Sequence, residues 1–261
     1  MALVHECLGN NIEALELHNK SLSIRIANFG KNHPGVATSY NNIALIYYTK
    51  GDNKKAIELF NKAQAINLAF FGETHSNVAT TYNNIALVYE VQGDYAKALE
   101  LYDKSFKIQL ALYNENNPNI AIILYNIACI YKKQGVYNKA LEEHYKSLRI
   151  QLVTLDENHI DIALNYSSMA EIYQAQGDFL KAQELYRKSL DIRAFHKDNN
   201  QNSAMDCFNL SMTYVAMENY PAALEYVTKS YNLFIKILPE EHDILKSLRQ
   251  AIDFLKTKVN N

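Results

Sequence analysis

The chain has 261 residues, of which 48% are hydrophobic, and a formal net charge of −2. This charge argues against a nucleic-acid-binding protein, which needs a basic excess to neutralise phosphates, and no apolar run approaches the roughly 18 residues of a membrane-spanning helix. The first ten residues lack the pattern of a signal peptide. Cys7, Cys129 and Cys207 are too far apart for a zinc motif and form no disulfide framework. We therefore expect free thiols in a cytoplasmic protein.

Followed from the N-terminus, the chain repeats one glycine position every 42 residues. This column contains Gly9, Gly51, Gly93, Gly135 and Gly177, and Gly30 and Gly72 form a second column with the same period. Such a period indicates stacked copies of one supersecondary unit. We predict that each copy is a pair of helices and that the glycine of the first column ends the first helix in a left-handed conformation. In the fifth copy, we expect the turn near Glu218.

Apolar and small residues keep the same period on both sides of the glycine. Before it come an apolar residue, a small residue and a tyrosine: Ile43-Ala44-x-x-Tyr47, Ile85-Ala86-x-x-Tyr89, Ile127-Ala128-x-x-Tyr131, Met169-Ala170-x-x-Tyr173 and, one residue out of step, Leu210-Ser211-x-x-Tyr214. After it come an alanine and a larger residue: Ala56/Phe60, Ala98/Tyr102, Ala140/His144, Ala182/Tyr186 and Ala223/Val227. Residues four apart share one helix face. We therefore predict that the small residues let paired helices approach, while the larger ones fill the space beside them.

These columns divide the chain into successive copies that we treat as one domain. We predict a partial repeat over residues 1–30, full repeats over 31–72, 73–114, 115–156, 157–198 and 199–238, and a capping helix over 239–259. Because Met1 holds the position of Ile43 in the next copy, the chain starts inside a repeat. Pro34 and Pro118 lie where first helices should begin, a place where proline is tolerated. The capping helix is predicted from one apolar stripe: Ile244, Leu248, Ile252 and Leu255.

The regular charges predict a solvated helix face. In each copy a glutamate precedes a lysine by four residues, the favourable order on an exposed helix: Glu16/Lys20, Glu58/Lys62, Glu100/Lys104, Glu142/Lys146, Glu184/Lys188 and Glu225/Lys229.

Histidines hold two repeat positions, and neither predicts a metal site. His33, His75 and His159 share a column with Asn117, and because successive copies lie a helix pair apart, we interpret this position as the entry to a helix. His18 and His144 fall in the column of larger residues and should pack in the core. The sequence contains no phosphate-cradling or nucleophile motif. It therefore predicts a non-enzymatic protein with no catalytic residue, no cofactor and no metal.

The columns resemble those of the tetratricopeptide repeat, in a 42-residue version similar to that of kinesin light chains. The stretches 32–44 (NHPGVATSYNNIA) and 76–86 (SNVATTYNNIA) carry this likeness most clearly, and it extends over essentially the whole chain. The resemblance implies an all-α fold: a right-handed α-solenoid of about six helix-turn-helix units plus a C-terminal capping helix. The upstream coiled coil that joins kinesin light chains to the motor has no counterpart in this sequence.

The resemblance also implies a peptide-binding groove on the concave face, lined by the first helices. In the first three full copies the implied site residues are Thr38, Asn41, Asn42, Leu45, Tyr48, Thr80, Asn83, Asn84, Leu87, Glu90, Tyr125, Asn126, Cys129, Lys132 and Lys133. In the last two copies they are Ser167, Ser168, Glu171, Phe208, Asn209 and Met212.

The asparagines of this groove have two interpretations. An amide both donates and accepts, so it can hold a peptide backbone without demanding a particular sequence. The alternative is that Asn42, Asn84, Asn126 and Asn209 satisfy neighbouring helix carbonyls inside the array. Lys132 and Lys133 are the only basic pair on the groove, which lacks the dense arginines with which kinesin light chains hold acidic cargo.

Two functions are compatible with this sequence. The first is an interaction scaffold that binds peptide segments of partner proteins, as a kinesin-light-chain-like cargo adaptor in a motor or cytoskeletal complex. The alternative is the regulatory or sensor region of a larger signalling protein or enzyme whose catalytic domain is absent here. Both predict a protein or peptide partner and neither nucleic acid nor membrane.

Overall fold

The computed structural model describes residues 11–197 and 201–260, which form twelve helices and no strand. The helices are α1 (Asn11–Phe29), α2 (Pro34–Thr49), α3 (Asn53–Phe71), α4 (Ser76–Val91), α5 (Tyr95–Leu112), α6 (Pro118–Lys133), α7 (Tyr137–Thr154), α8 (Ile160–Ala175), α9 (Phe179–Phe195), α10 (Gln201–Ala216), α11 (Tyr220–Phe234) and α12 (Asp243–Val259). Among them, none is long and apolar enough to cross a membrane. Gly9 and the start of the predicted partial repeat lie outside the described residues. The predicted division into repeats with fixed bounds stays a prediction.

The turns inside the pairs lie where the glycine column predicted them. Gly51, the first described member, follows α2 with a φ of +79°, a left-handed conformation that costs most other residues energy. In the fifth copy Glu218 takes the same conformation with a φ of +57°, so the geometry of the turn is kept without glycine. The predictions of turns at Gly51, Gly93, Gly135, Gly177 and near Glu218 are confirmed.

Polar side chains start the second helix of each pair, a feature that the sequence analysis missed. The carboxylate of Asp52 accepts a hydrogen bond from the backbone N–H of Lys55 over 3.0 Å, which satisfies one of the free donors in the first turn of α3. Asp94, Asp178 and Asn219 cap α5, α9 and α11 in the same way. Val136 holds this position before α7 and offers no such bond. The cap fixes where the chain re-enters a helix after the turn.

The chain divides into two compact units, Met1–Ile130 and Tyr131–Asn261. In the first unit, α1 packs on α2, α2 on α3, α3 on α4 and α4 on α5. Its core includes the predicted small residues Ala56 and Ala98, both fully buried, and the larger residues Phe60 and Tyr102 beside them. Burying one such aromatic side chain contributes about 1.5–3 kcal/mol. The predicted roles of the small and larger columns are thus confirmed in this unit.

In the second unit the same packing continues from α7 to α12. Each helix from α8 onward contacts the next one along the chain, and α7 contacts α8. Ala140, Ala182 and Ala223 are fully buried, and the imidazole of His144 is buried among them as predicted. Leu245, Leu248 and Leu255 of α12 close this core.

The predicted solvated face is confirmed for five glutamate–lysine pairs. Their ion pairs measure 2.6–2.7 Å, and both side chains of each pair are about half exposed. These charged side chains lie on the exposed face of the second helices, where each lysine is paired with a glutamate of the same helix.

Candidate peptide-binding face

The predicted groove residues of the first unit lie on the first helices of three pairs, α2, α4 and α6. We call the surface that these residues form the amide face. Five asparagines define it: Asn41, Asn42, Asn83, Asn84 and Asn126. Thr38 and Thr80 are exposed beside them, while Asn84 is 9% exposed. Leu45, Tyr48, Leu87, Glu90, Tyr125 and Cys129 are half-buried on the same helices.

Asparagines of neighbouring copies bond to each other across this face. Asn84 Nδ2 donates to Asn41 Oδ1 over 2.9 Å, and Asn126 Nδ2 donates to Asn83 Oδ1 over 3.3 Å. Asn84 and Asn126 thus do satisfy acceptors inside the array, but the acceptors are side-chain amides and not the helix carbonyls that one interpretation named. Within the described part of this unit, Asn41 Nδ2 and Asn83 Nδ2 have no protein acceptor. Each pair therefore keeps donor and acceptor capacity for a ligand.

Behind the amide face, the second helices carry a polar column that bonds to the next first helix. Arg25 of α1 donates to Ser39 Oγ over 3.0 Å, and Asn67 of α3 donates to Thr81 Oγ1 over 3.2 Å. The two partners in each bond are 14 residues apart. Gln109 holds the same position on α5, but the residue 14 positions on is Ile123, which cannot bond to it.

In the second unit the column continues with complete partners. Asn165 Nδ2 donates to Gln151 Oε1 over 3.0 Å, and Asn165 Oδ1 lies 2.8 Å from His144 Nδ1. All three side chains are buried. Burial lowers the pKa of His144 to about 4, because the imidazolium would lose its hydration, and the hydrogen bond to Asn165 only partly opposes this.

The next member of the column is a buried ion pair. Arg193 Nε donates to Asp206 Oδ2 over 2.9 Å, and both side chains are at most 5% exposed. The same carboxylate oxygen accepts bonds from Ser167 Oγ at 2.7 Å and Ser189 Oγ at 2.6 Å. Desolvation nevertheless raises the pKa of Asp206 above its usual range. Removing either Arg193 or Asp206 would leave the other buried without its opposite charge.

Three predicted site residues of the second unit are committed to the protein itself. Ser167 belongs to the Asp206 network, and Ser167 and Ser168 are only 7% and 6% exposed. Lys132 makes an ion pair of 2.5 Å with Glu171, so one member of the predicted basic pair is neutralised by another predicted site residue. Lys133 is exposed. We leave Ser167 and Ser168 out of the binding face proposed below because they have almost no surface to offer a ligand.

In the second unit, α10 carries a partly exposed apolar surface. Met205 and Met212 of α10 are 37% and 44% exposed, and Phe208 and Asn209 are half-buried between them. A cavity of about 270 Å³ lies at this place, bordered by Met205, Phe208, Phe234, Ile244 and Leu248. Methionine adapts its shape easily, so this surface suits a bulky apolar side chain.

The predicted position of the histidine column at the start of helices is confirmed. Nδ1 of His33, His75 and His159 each accepts a bond from the backbone N–H two residues later, at 3.0–3.2 Å. Asn117 Oδ1 does the same over 2.8 Å. His242 caps α12 in this way, and the sequence analysis missed it although it keeps the column one residue out of step. Across residues 11–197 and 201–260, no cluster of three metal-ligating side chains is found.

The repeat defines the class of this protein. The family model of the tetratricopeptide repeat matches residues 1–69, 77–152 and 161–236, most of the chain. The chain therefore belongs to the tetratricopeptide repeat family, and its fold is an all-α solenoid of such repeats. No match was found among curated protein sequences.

Solved structures share this fold. BtubC (BKLC) from P. vanneervenii is 18% identical with a TM-score of 0.72, over 87% of this chain and 93% of that chain. A kinesin-light-chain-like protein with nearly identical TPR-like repeats from P. anserina is 23% identical with a TM-score of 0.64, over 78% of this chain and 97% of that chain. The apo quorum sensor NprR from B. thuringiensis is 17% identical with a TM-score of 0.68, over 93% of this chain and 62% of that chain. At these identities the likeness shows the fold alone.

Proposed function

We propose that this chain is a non-catalytic scaffold that binds an extended peptide segment of a partner protein on the amide face. Tetratricopeptide repeats are in general protein–protein interaction scaffolds. The observation that carries the proposal is the pair of asparagine bonds, Asn84 to Asn41 and Asn126 to Asn83, on successive first helices.

The paired amides match the chemistry of a peptide backbone. In each pair, the Oδ1 atom of Asn41 or Asn83 accepts the bond from its partner asparagine. The Nδ2 groups of Asn41 and Asn83 therefore stay available as donors. The Oδ1 atom of the half-buried Asn126 stays available as an acceptor, whereas Asn84 is almost buried and holds Asn41 in place. An extended backbone presents one N–H and one C=O per residue. The internal bonds also hold the amides in place, so less conformational entropy is lost when a ligand binds.

The apolar region of the second unit supplies a different contact. Met205, Phe208 and Met212 would take a bulky apolar side chain, because exposed apolar surface with a cavity beside it is typical of interaction sites. The proposed ligand of the amide face is held by its backbone, and the surface on α10 is a separate contact for an apolar side chain.

The test begins with peptides selected from a random displayed library on the full chain, followed by calorimetry. Asn41→Asp and Asn83→Asp keep the oxygens that accept from Asn84 and Asn126 but remove the outward donors. We expect each substitution to cost roughly 1 kcal/mol of binding, about fivefold in Kd, with the melting temperature nearly unchanged. Repeating the titration at high salt separates this loss from charge repulsion.

The matched control is Glu58→Ala with Glu100→Ala on the solvated face of α3 and α5, where both carboxylates are exposed and paired with lysines. The control should bind like the parent chain. If the control weakens binding as much as the asparagine variants, or if the asparagine variants bind normally, the ligand binds elsewhere.

The class of partner, the cellular location and the role within a longer protein are proposals. A motor or cytoskeletal partner receives no support from charge at Lys132, since Glu171 neutralises it. A cytoplasmic location and a role as the regulatory region of a longer protein likewise remain predictions. Sequencing upstream of Met1 in the genome separates them, because a heptad coiled coil favours the adaptor and a catalytic domain favours the regulatory region.

A further inference from the structure

Gln109 is the member of the polar column with an apolar residue at the partner position; Asn67 also has a buried oxygen without a partner, but it keeps its bond to Thr81. Arg25, Asn67, Gln151 and Arg193 each bond to the side chain 13 or 14 residues later. Gln109 meets Ile123 at that place, and both side chains are at most 2% exposed. Gln109 Oε1 is buried and has no hydrogen-bond partner in the described part of the protein. A buried carbonyl oxygen of this kind is costly unless a donor reaches it.

A cavity of about 150 Å³ borders Gln109 and Ile123. Thr80, Asn83, Ser105, Asn119 and Ile122 also line it, and because Thr80 and Ile122 are exposed, the cavity reaches the surface beside the amide face. One water needs roughly 10–15 Å³ of such volume. The cavity therefore has room for a group of several heavy atoms.

The lining offers acceptors and, in the side-chain NH₂ groups of Asn83, Gln109 and Asn119, also donors. The hydroxyl of Ser105 donates to Ala79 O over 2.8 Å and that of Thr80 donates to Ser76 O over 3.0 Å, so their protons are committed and their oxygens are left as acceptors. Gln109 Oε1 is a third acceptor. Asn83 uses its oxygen for Asn126, which leaves Asn83 Nδ2 as a donor at the cavity.

A primary carboxamide fits this arrangement. Its NH₂ group carries two donors for the acceptors and its carbonyl accepts from Asn83 Nδ2. An ammonium group would find the same acceptors, but no charged side chain lines the cavity, and a charge beside Ile122 and Ile123 would be desolvated without a partner. A carboxylate would be desolvated in the same way without a cationic partner, and it has no proton to donate to Gln109 Oε1.

We propose that this cavity, the carboxamide pocket, holds the side chain of a glutamine or asparagine in the bound partner peptide. The proposal rests on the proposed function, because it names the side chain that the amide face selects. Ile122 and Ile123 would contact the methylene groups of the inserted side chain, and Gln109 Oε1 would accept a bond like the one that Asn165 donates to Gln151.

The first test uses propionamide as the probe, titrated into the full chain by NMR. We expect saturable shifts of the side-chain amide signals of Gln109 and Asn83, with propionate and propylammonium at least about tenfold weaker. Gln109→Leu removes the acceptor, and Ile123→Asn supplies the donor that Asn165 gives to Gln151; both should abolish the shift of the Asn83 signal. Both variants should fold, since the first removes the unsatisfied oxygen and the second gives it a partner. Absent shifts, equal affinity for the three probes, or shifts that persist in Gln109→Leu would overturn the proposal.

A second test uses the peptides selected on the chain. Replacing a glutamine or asparagine of such a peptide by leucine, glutamate or lysine should weaken binding about tenfold or more at one position, and Gln109→Leu should remove this difference. If peptides depend on Asn41 but no amide in them matters, the pocket is wrong and the binding face stands. If propionamide binds at Gln109 and no peptide depends on Asn41, which lies outside the pocket, the pocket stands and the proposed function is wrong.

Discussion

Gln109 in the first unit and Gln151 in the second hold the same repeat position, yet their surroundings differ. Gln151 accepts a bond from Asn165, which also meets His144. Gln109 has Ile123 at the matching place and a cavity beside it. The comparison shows that the repeat fixes where a polar side chain is buried but not what satisfies it. A position that is structural in one copy is therefore open to a ligand in another.

The largest expected effect lies at the ion pair of the second unit. Asp206→Ala would leave the Arg193 guanidinium buried without its carboxylate, and we expect a loss of about 3–5 kcal/mol in the free energy of unfolding. Thr81→Ala, at the same repeat position in the first unit, breaks only neutral bonds, the one from Asn67 and the one to Asn77 O, and should cost about 1–3 kcal/mol. Urea unfolding measures both.

Combining Arg193→Met with Asp206→Leu checks the cause of that loss. Because the double substitution removes both charges and keeps the volume, it should recover most of the stability. Equal losses for Asp206→Ala and Thr81→Ala would show that the two units do not differ in this way.

The second prediction concerns pH and again compares the units at one repeat position. The folded pKa of His144 is lowered to about 4 against about 6.5 when unfolded. Its contribution is therefore fully present above pH 6.5 and is lost as the pH falls from 6.5 towards 4, by about 3 kcal/mol. His144→Phe should remove this dependence, and Tyr102→Phe in the first unit should leave it unchanged. A His144→Phe profile parallel to that of the parent chain would contradict the assignment.

A smaller effect is expected where both units are alike. Ala98 is fully buried where α4 and α5 touch, so Ala98→Leu should overpack the contact and cost about 1–3 kcal/mol. Glu100→Ala, two residues away on the solvated face, should barely change stability. Thermal unfolding of both variants checks the faces, and comparable shifts in the melting temperature would mean that the faces are assigned wrongly.

The period of the sequence predicted what each copy must share. The turn at Gly51, the small residue Ala98 and the cap His33 recur because every helix pair needs the same geometry. The polar column was not predicted because the residue type at this position differs from copy to copy: it is Arg25, then Asn67, then Gln109. A comparison of the residues 14 positions after Gln109 and Gln151, which are Ile123 and Asn165, would have shown that Gln109 lacks a polar partner.

The candidate site was less predictable for a related reason. Spacing places Ser167 and Asn83 at the same repeat position, but their neighbours decide whether they are available. Asp206 and Ser189 take up the hydroxyl of Ser167, whereas Asn83 keeps a free donor. Such contacts join different copies, so the pattern within one copy carries no trace of them.

Within the described part of the chain, Gln109 Oε1 has no hydrogen-bond donor, and we propose that a ligand supplies one. The most direct measurement is the free energy of unfolding of Gln109→Leu beside that of Gln151→Leu. Gln151→Leu should lose about 1–3 kcal/mol, because the buried Asn165 amide loses its acceptor. Gln109→Leu should be as stable as the parent chain or more so, since the substitution removes an unsatisfied buried oxygen. A loss for Gln109→Leu as large as that for Gln151→Leu would show that Gln109 is bonded within the protein, and the carboxamide pocket would then not exist.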